Sequence, residues 1–125
     1  MRALVVDDSS TMRSILRLTL RGAGYQVLEA GNGIEALDRL RENGPFDVAL
    51  VDWNMPLMNG YDFLTIVRED HVYDAMNIVM VTTETELVQV QAALQHGANE
   101  YIMKPFTRDA VIEKLELLKF LPSSI

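Results

Sequence analysis

Val48-Ala49-Leu50-Val51-Asp52 is an uninterrupted apolar run that ends on a carboxylate. A short run without polar alternation is typical of a strand buried on both faces, as in parallel sheets. Leu4-Val5-Val6 has the same character and is followed by Asp7-Asp8. Similar runs recur along the chain, and the predicted strands are Ala3 to Asp7, Tyr25 to Glu29, Phe46 to Val51, Asn77 to Thr82 and Glu100 to Met103.

Amphipathic stretches separate and follow these strands. The first has apolar residues and a threonine at helical spacing: Met12, Ile15, Leu16, Thr19, Leu20 and Ala23. Shorter repeats of the same kind are Ile34, Leu37 and Leu40; Phe63, Leu64 and Val67; Leu87, Val90 and Leu94; and Val111, Leu115 and Leu118. Spacings of three and four residues place such side chains on one face of a helix. Five successive strand–helix units predict a three-layer α/β fold, (βα)5, with helices on both faces of a parallel sheet.

Length and composition limit the function classes. The chain has 125 residues, of which 49% are hydrophobic and 23% charged, so we expect one ordinary domain spanning residues 1–125. Its net charge of −7 disfavours direct binding to nucleic acid. The absence of cysteine excludes disulfides and thiol chemistry. The N-terminal apolar run is too short for a signal peptide or membrane span, so we expect a cytoplasmic protein that does not contact the membrane.

Polar and charged side chains lie where the predicted strands end. Asp7 and Asp8 end the first strand, Asp52 the third and Thr82 the fourth, and Lys104 follows the fifth. In a parallel sheet these ends share one edge, where ligands bind. Adjacent carboxylates repel one another, and a hard cation such as Mg²⁺ relieves that repulsion. The set predicts a Mg²⁺ site that holds a phosphoryl group.

Each of these residues alone also has a structural explanation. Asp8 or Ser9 could cap a helix that begins near Ser10, and Asp52 could close a turn with its own backbone. A lysine at a strand end is often a solvated side chain, and a strand-end threonine often only satisfies a turn. Together, however, the carboxylates, hydroxyl and amine favour the phosphoryl site, in which a carboxylate can act as the nucleophile.

Three segments carry a resemblance to a known family. They are Val5-Val6-Asp7-Asp8-Ser9-Ser10-Thr11-Met12-Arg13, Asp52-Trp53-Asn54-Met55-Pro56 and Lys104-Pro105-Phe106-Thr107. With Thr82, they resemble the receiver domain of two-component response regulators, most closely the stand-alone chemotaxis regulators, over essentially the whole chain. The resemblance implies a flavodoxin-like sheet with strand order 2-1-3-4-5 and a cis bond between Lys104 and Pro105.

The resemblance also implies a phosphoacceptor and a metal site. Asp52 would accept a phosphoryl group from the phosphohistidine of a histidine kinase. Mg²⁺ would be held by Asp8, Asp52 and the backbone carbonyl of Asn54, with Asp7 acting through water. The chain would therefore phosphorylate and dephosphorylate only itself and would not be an enzyme in the usual sense.

The remaining implied roles concern switching and phosphoryl lifetime. Lys104 and the Thr82 hydroxyl would contact the phosphoryl oxygens and assist the chemistry. Tyr101 would be an aromatic switch that turns inward when Thr82 moves. Asn54 and Glu84 match the positions that tune hydrolysis in chemotaxis regulators, so a short-lived aspartyl phosphate is expected.

The output surface implied by the resemblance comprises the fourth helix, the fifth strand and the fifth helix. It would include Val90, Leu94, Tyr101 and Lys114. Glu86-Leu87 stand where chemotaxis regulators commonly carry basic residues, which makes this surface less cationic. We expect a protein partner such as the flagellar motor switch or another effector, and a monomer before phosphorylation.

Two other functions remain open from the sequence. The chain could be the receiver part of a longer transcriptional regulator, although only a short tail follows Leu121. It could also be a Mg²⁺-dependent phosphatase acting on small molecules. Such enzymes usually need a cap or substrate loop, and the chain has no insertion large enough to form one.

Overall fold

The structure is a computed structural model that describes residues 1–83 and 87–120, leaving out the side chains of Leu87, Lys119 and Phe120. Within these ranges five parallel strands form one sheet in the order β2-β1-β3-β4-β5. The strands are β1 (Arg2–Val6), β2 (Gln26–Ala30), β3 (Val48–Asp52), β4 (Asn77–Thr82) and β5 (Glu100–Met103). The parallel sheet and its strand order confirm the predicted fold, with boundaries shifted by one or two residues in the first three strands.

The helices alternate with the strands along the chain. They are α1 (Ser10–Gly22), α2 (Gly33–Asn43), α3 (Gly60–Glu69), α4 (Leu87–Gln95) and α5 (Arg108–Phe120). A one-turn 3₁₀ helix at His71–Tyr73, which the sequence analysis did not predict, connects α3 to β4. None of the helices in the described ranges combines the length and apolarity that crossing a bilayer requires.

The sheet is covered on both faces because alternate strand residues point to opposite sides. On one face, Leu4, Ala49 and Ile78 pack with residues of α2, α3 and α4. On the other, Val5 and Leu50 pack with residues of α1 and α5. Both clusters are almost fully excluded from solvent, which explains why the strands are apolar without alternation.

In each of three helices, one large apolar residue at a predicted core position is exposed. Ile15, Ile34 and Leu94 are 45%, 43% and 37% exposed. Ala36 and Ala93 are buried in the places expected for larger side chains. Small residues let a helix approach the sheet closely, and a count of large apolar residues underweights them. Val111, Leu115 and Leu118 of α5 are buried as predicted.

Side-chain caps start three helices directly beyond the carboxyl edge of the sheet. Ser9 accepts a hydrogen bond from Met12 N at the start of α1. Asn32 and Asn59 do the same for α2 and α3. Each cap satisfies a backbone donor that the first helical turn leaves unpaired. The caps therefore fix the helix starts around the edge where the candidate site lies.

Candidate functional site

Three predicted acids meet at the carboxyl edge of the sheet. Asp7 follows β1, and its backbone N–H donates to the carbonyl of Ala30 in β2 over 3.1 Å. Asp52 is the last residue of β3. Carboxylate oxygens of Asp7, Asp8 and Asp52 all lie within 4.8 Å of one another. Asp7 and Asp52 are buried, whereas Asp8 is exposed. The structure thus brings together residues that are 45 positions apart in the chain.

Lys104 supplies positive charge to this cluster. Its Nζ donates to Asp52 Oδ1 over 3.0 Å and lies 3.6 Å from Asp7 Oδ2. Its backbone N–H donates to the carbonyl of Thr82, which fixes the start of the loop after β5. The Lys104–Pro105 peptide bond is cis, as the resemblance implied. One ammonium against three carboxylates leaves the site with surplus negative charge.

Burial and the neighbouring charges both affect the ionisation of Asp52 and Lys104. Burial raises the pKa of Asp52 to about 6. The hydrogen bond from Lys104 opposes this rise, and the charges of Asp7 and Asp8 add to it. For Lys104, burial acts to lower the pKa, but the hydrogen bond to Asp52 and the charges of Asp52 and Asp7 outweigh it and the pKa is raised. The site therefore makes the Asp52 anion less stable than that of a solvent-exposed aspartate.

The donor set fits a small hard cation. Asp7 Oδ1 accepts a hydrogen bond from Ser9 N over 2.9 Å. Asp7 Oδ2 is buried and has no hydrogen-bond partner among residues 1–83 and 87–120. This buried oxygen lies 3.6 Å from the Lys104 ammonium without a hydrogen bond to it, so a bound cation would stabilise it further. Mg²⁺ prefers oxygen ligands of this kind, so the acids could hold it.

Thr82 and Tyr101 lie on neighbouring strands, β4 and β5. Thr82 ends β4, is fully buried and donates from its hydroxyl to the carbonyl of Thr83. Tyr101 is half-buried on β5 and pairs in register with Met80. Lys114 Nζ lies 5.1 Å from the centre of the Tyr101 ring and 3.1 Å from Glu100 Oε1. In this arrangement Lys114 lies over the ring, and the carboxylate of Glu100, the first residue of β5, accepts a hydrogen bond from Tyr101 N.

Other predicted residues have different outcomes. Asn54 is exposed in the loop after β3, two residues beyond Asp52. Glu84 lies outside the described residues. Val90 is fully buried, so its prediction as part of the output surface is wrong: α4 turns this side chain into the core. Leu94 and Lys114 are at least partly accessible.

Sequence analysis missed the close-approach role of Gly60. A Cβ added there would lie 2.3 Å from the carbonyl oxygen of Asp52, closer than any real Cβ contact. The Gly60 N–H also donates to the carbonyl of Trp53 over 2.9 Å. Glycine therefore allows α3 to begin directly against the strand that ends in Asp52. The signal available was a glycine immediately after the Asn59 cap.

Sequence analysis also missed Arg13, which supports the loop after β1. Its guanidinium donates to the backbone carbonyl of Asp7 over 2.7 Å and pairs with Glu29 over 3.2 Å. This bond holds the backbone that carries Asp7 and Asp8. Its partners lie on different elements, so helical periodicity gave no indication of it.

Comparisons with known proteins agree with this geometry. Residues 3–116 match the model of the response regulator receiver domain. The chain is 49% identical over 119 residues to the chemotaxis protein CheY1 of Helicobacter pylori strain J99, covering 94% of this chain and 96% of that protein. It is 50% identical over 117 residues to the chemotaxis protein CheY homolog of Campylobacter jejuni strain 81-176, covering 93% and 90%.

A solved structure has the same arrangement. The chemotaxis response regulator CheY4 of Vibrio cholerae superposes with a TM-score of 0.86 at 37% identity, covering 94% of this chain and 97% of that chain. The family match spans more than half of the sequence, and these relatives align along nearly its full length. This chain therefore belongs to the response regulator receiver domain family and is similar to the CheY chemotaxis proteins within it.

Proposed function

We propose that this protein is a two-component response regulator that accepts a phosphoryl group on Asp52 from a histidine kinase, with Mg²⁺, in chemotaxis or motility signalling. The observation that carries the proposal is the contact of Lys104 Nζ with Asp52 Oδ1, 3.0 Å, inside a cluster of three carboxylates. A nucleophile, a compensating cation and a metal-type donor set are what phosphoryl transfer to a carboxylate requires. The names of the similar proteins support the chemotaxis setting.

The transfer follows from the placement of the side chains. A carboxylate oxygen of Asp52 attacks the phosphorus of the phosphohistidine, and the new P–O bond forms as the P–N bond to the imidazole breaks. The leaving imidazole takes up a proton from solvent. Asp8, Asp52 and the backbone carbonyl of Asn54 would hold Mg²⁺, with Asp7 acting through water, and the ion would supply positive charge that offsets the phosphoryl oxygens.

Lys104 connects this chemistry to the resting state. Before transfer its ammonium pairs with Asp52, and afterwards the same ammonium is close enough to pair with a phosphoryl oxygen instead. A point charge on a flexible stem can make that exchange with little backbone movement. Lys104 thus stabilises both states, and its partner changes between them.

The proposed output is a population shift at the face formed by α4, β5 and α5. Thr82, which donates to the Thr83 carbonyl in this structure, gains a phosphoryl oxygen as an alternative partner. Movement of Thr82 opens space towards which Tyr101 turns. The Lys114 contact with the Tyr101 ring contributes about 0.5–1 kcal/mol to the resting arrangement, so modest new contacts can overcome it.

The expected partners follow from this scheme. A histidine kinase supplies the phosphoryl group, and a protein effector, such as the flagellar motor switch, binds the α4–β5–α5 face. The protein is a cytoplasmic signalling module, monomeric before phosphorylation, and turns over no external substrate. Asn54, exposed two residues after Asp52, would influence attack by water, in keeping with a short-lived aspartyl phosphate.

Labelling by a phosphohistidine donor tests the proposal. We expect the wild-type chain to take up the ³²P label from a phosphorylated kinase domain, and Asp52→Asn to take up none. Asp62→Asn, which changes an exposed carboxylate in the first turn of α3, is the matched control and should label normally. Retained labelling of Asp52→Asn would place the acceptor elsewhere. Continuous hydrolysis of a small phosphate ester would support the phosphatase alternative.

A further inference from the structure

An exposed leucine occupies a strained turn in the loop that follows Asp52. Leu57 is five residues after Asp52 in the loop between β3 and α3, and it is 82% exposed. Its φ is +69°, in the left-handed region that an L side chain rarely adopts. The N–H of Met58 donates to the carbonyl of Pro56 over 2.7 Å, which closes a three-residue turn around Leu57. Turns of this kind with positive φ are rare and strained.

The surrounding contacts hold this turn in place. The carbonyl of Met58 accepts a hydrogen bond from Gly33 N over 3.2 Å. The Met58 side chain lies so close to Gly33 that a Cβ there would approach it to 2.7 Å. Met55 and Met58 pack against the core, whereas Leu57 does not contribute to that packing. The loop is therefore anchored on both sides of a residue that points into solvent.

Leu57 combines two features that are unfavourable in the isolated protein. Single exposed apolar residues are common and by themselves need no explanation. Here the exposed side chain also occupies a backbone conformation that Gly or Asn would adopt more easily. Strain maintained by surrounding contacts next to a reactive group is typical of functional positions. Because Leu57 adds little to the stability of the fold, we expect its side chain to be buried in a complex with another protein.

The position of Leu57 relative to Asp52 limits which partner its side chain can contact. Five residues of chain span at most about 18 Å, so Leu57 lies within that distance of Asp52. A protein–protein interface of ordinary size buries about 800 Å² on each partner, which corresponds to a disc of about 16 Å radius. The two lengths are comparable, so the footprint of a protein that brings a phosphohistidine to Asp52 extends to the region of Leu57. A small phosphodonor would not reach it.

On these grounds we propose that Leu57 is an apolar anchor for the phosphohistidine-bearing domain of the donor kinase. The Leu57 side chain would enter an apolar depression of that domain, beside the phosphohistidine. The inference rests on the proposed function, because it assumes that Asp52 is the acceptor. It adds a specificity-determining residue that contacts the protein donor and takes no part in the chemistry.

Comparing two phosphodonors tests this role. One donor is an isolated phosphotransfer domain of a chemotaxis histidine kinase, labelled with ³²P on its histidine; the other is acetyl phosphate. Leu57→Asn keeps a residue that tolerates positive φ and removes the apolar side chain. We expect it to lower kcat/KM for transfer from the protein donor about tenfold, the loss typical of one apolar interface anchor. Labelling by acetyl phosphate should be unchanged.

Two further variants separate the anchor from general effects. Leu57→Met should retain most of the wild-type transfer rate because it keeps an apolar side chain of similar size. Val72→Asn changes a residue that is 60% exposed in the 3₁₀ helix before β4, at the opposite edge of the sheet, and should behave as wild type. Because Leu57 is exposed, the urea midpoint of Leu57→Asn should be equal to or above that of wild type.

Three outcomes would overturn the inference. Equal rates for Leu57→Asn and wild type with the protein donor would show that Leu57 is not an anchor. An equal loss with both donors would instead assign it to the integrity of the site. If neither donor labels Asp52 in the wild-type chain, the proposed function fails, and the anchor role fails with it.

Discussion

Lys104 Nζ lies 3.0 Å from Asp52 Oδ1, so the ammonium that follows β5 neutralises the carboxylate that ends β3 across the strand between them. The same ammonium is 3.6 Å from Asp7 Oδ2. Two buried carboxylates from different strands therefore depend on one amine. This arrangement makes the site sensitive to any change in its charge.

Removing that amine should destabilise the metal-free protein. We expect Lys104→Ala to lower the free energy of unfolding by about 1–3 kcal/mol in EDTA at pH 7.5, because Asp7 and Asp52 lose their counter-charge. The loss should shrink in millimolar Mg²⁺. Lys114→Ala, which removes a more exposed ion pair, should cost less than about 1 kcal/mol. Urea denaturation with both variants provides the measurement, and equal losses for the two lysines would contradict the account.

Neutralising Asp52, the proposed phosphoacceptor, should instead stabilise the metal-free protein. Burial raises the pKa of Asp52 from its ordinary 3.8 to about 6, so the folded state binds more protons than the unfolded state between these values. Stability is thereby lost as pH rises towards 6, and the full cost is present above it. We expect Asp52→Asn to be about 1–3 kcal/mol more stable than wild type in EDTA at pH 7.5.

The pH dependence of the stability difference between Asp52→Asn and wild type tests this explanation. At pH 4.5 the wild-type Asp52 is largely protonated in the folded state, so most of the difference between the two proteins should disappear. Urea midpoints at both pH values, without metal, measure it. A variant that is less stable than wild type at pH 7.5 would mean that the pair with Lys104 outweighs burial and repulsion.

The fold and the acidic cluster could be predicted because each depends on a local pattern. Apolar strands ending in Asp7-Asp8, Asp52 and Thr82 identify one sheet edge, and a parallel sheet brings such ends together. The acid cluster and the contact of Lys104 agree with that prediction. The catalytic, metal-binding and switch roles of these residues remain predictions.

Other features depended on contacts that periodicity does not encode. Ala36 and Ala93 face the core in place of larger side chains because small residues let α2 and α4 approach the sheet. Gly60 is required by the carbonyl of Asp52, and Arg13 binds a carbonyl six residues earlier in the chain. Each of these requirements becomes visible only when the elements are packed together.

A side chain at position 60 should disrupt the close contact between the start of α3 and the end of β3. The Cβ of Gly60→Ala would clash with a backbone oxygen, which cannot move without shifting β3. We expect a loss of about 2 kcal/mol or more in unfolding free energy. Gly22→Ala is the matched control, because its Cβ would meet only the end of the flexible Arg108 side chain. That variant should stay within about 1 kcal/mol of wild type. Similar losses at both glycines would argue against a close approach at Asp52.

Coupling from the site to the α4–β5–α5 face should require the Thr82 hydroxyl. Beryllofluoride with Mg²⁺, which mimics a phosphoryl group, should shift the amide resonances of Leu94, Tyr101 and Lys114 in the wild-type protein. We expect Thr82→Ala to bind the mimic and yet show much smaller shifts at these positions. Thr65→Ala removes a hydroxyl that bonds only within α3 and should respond as wild type. Undiminished shifts in Thr82→Ala would remove Thr82 from the switch.

The central claim is that one acidic pocket both binds Mg²⁺ and presents Asp52 to phosphorus. Residue-resolved mass spectrometry after incubation with acetyl phosphate tests it most directly, with and without Mg²⁺ and with Asp8→Asn, which changes an exposed residue proposed as a metal ligand. We predict one phosphoryl group on Asp52, dependent on Mg²⁺ and strongly reduced in Asp8→Asn. Modification at another residue, or labelling of Asp52 that is equally fast in EDTA, would contradict the account.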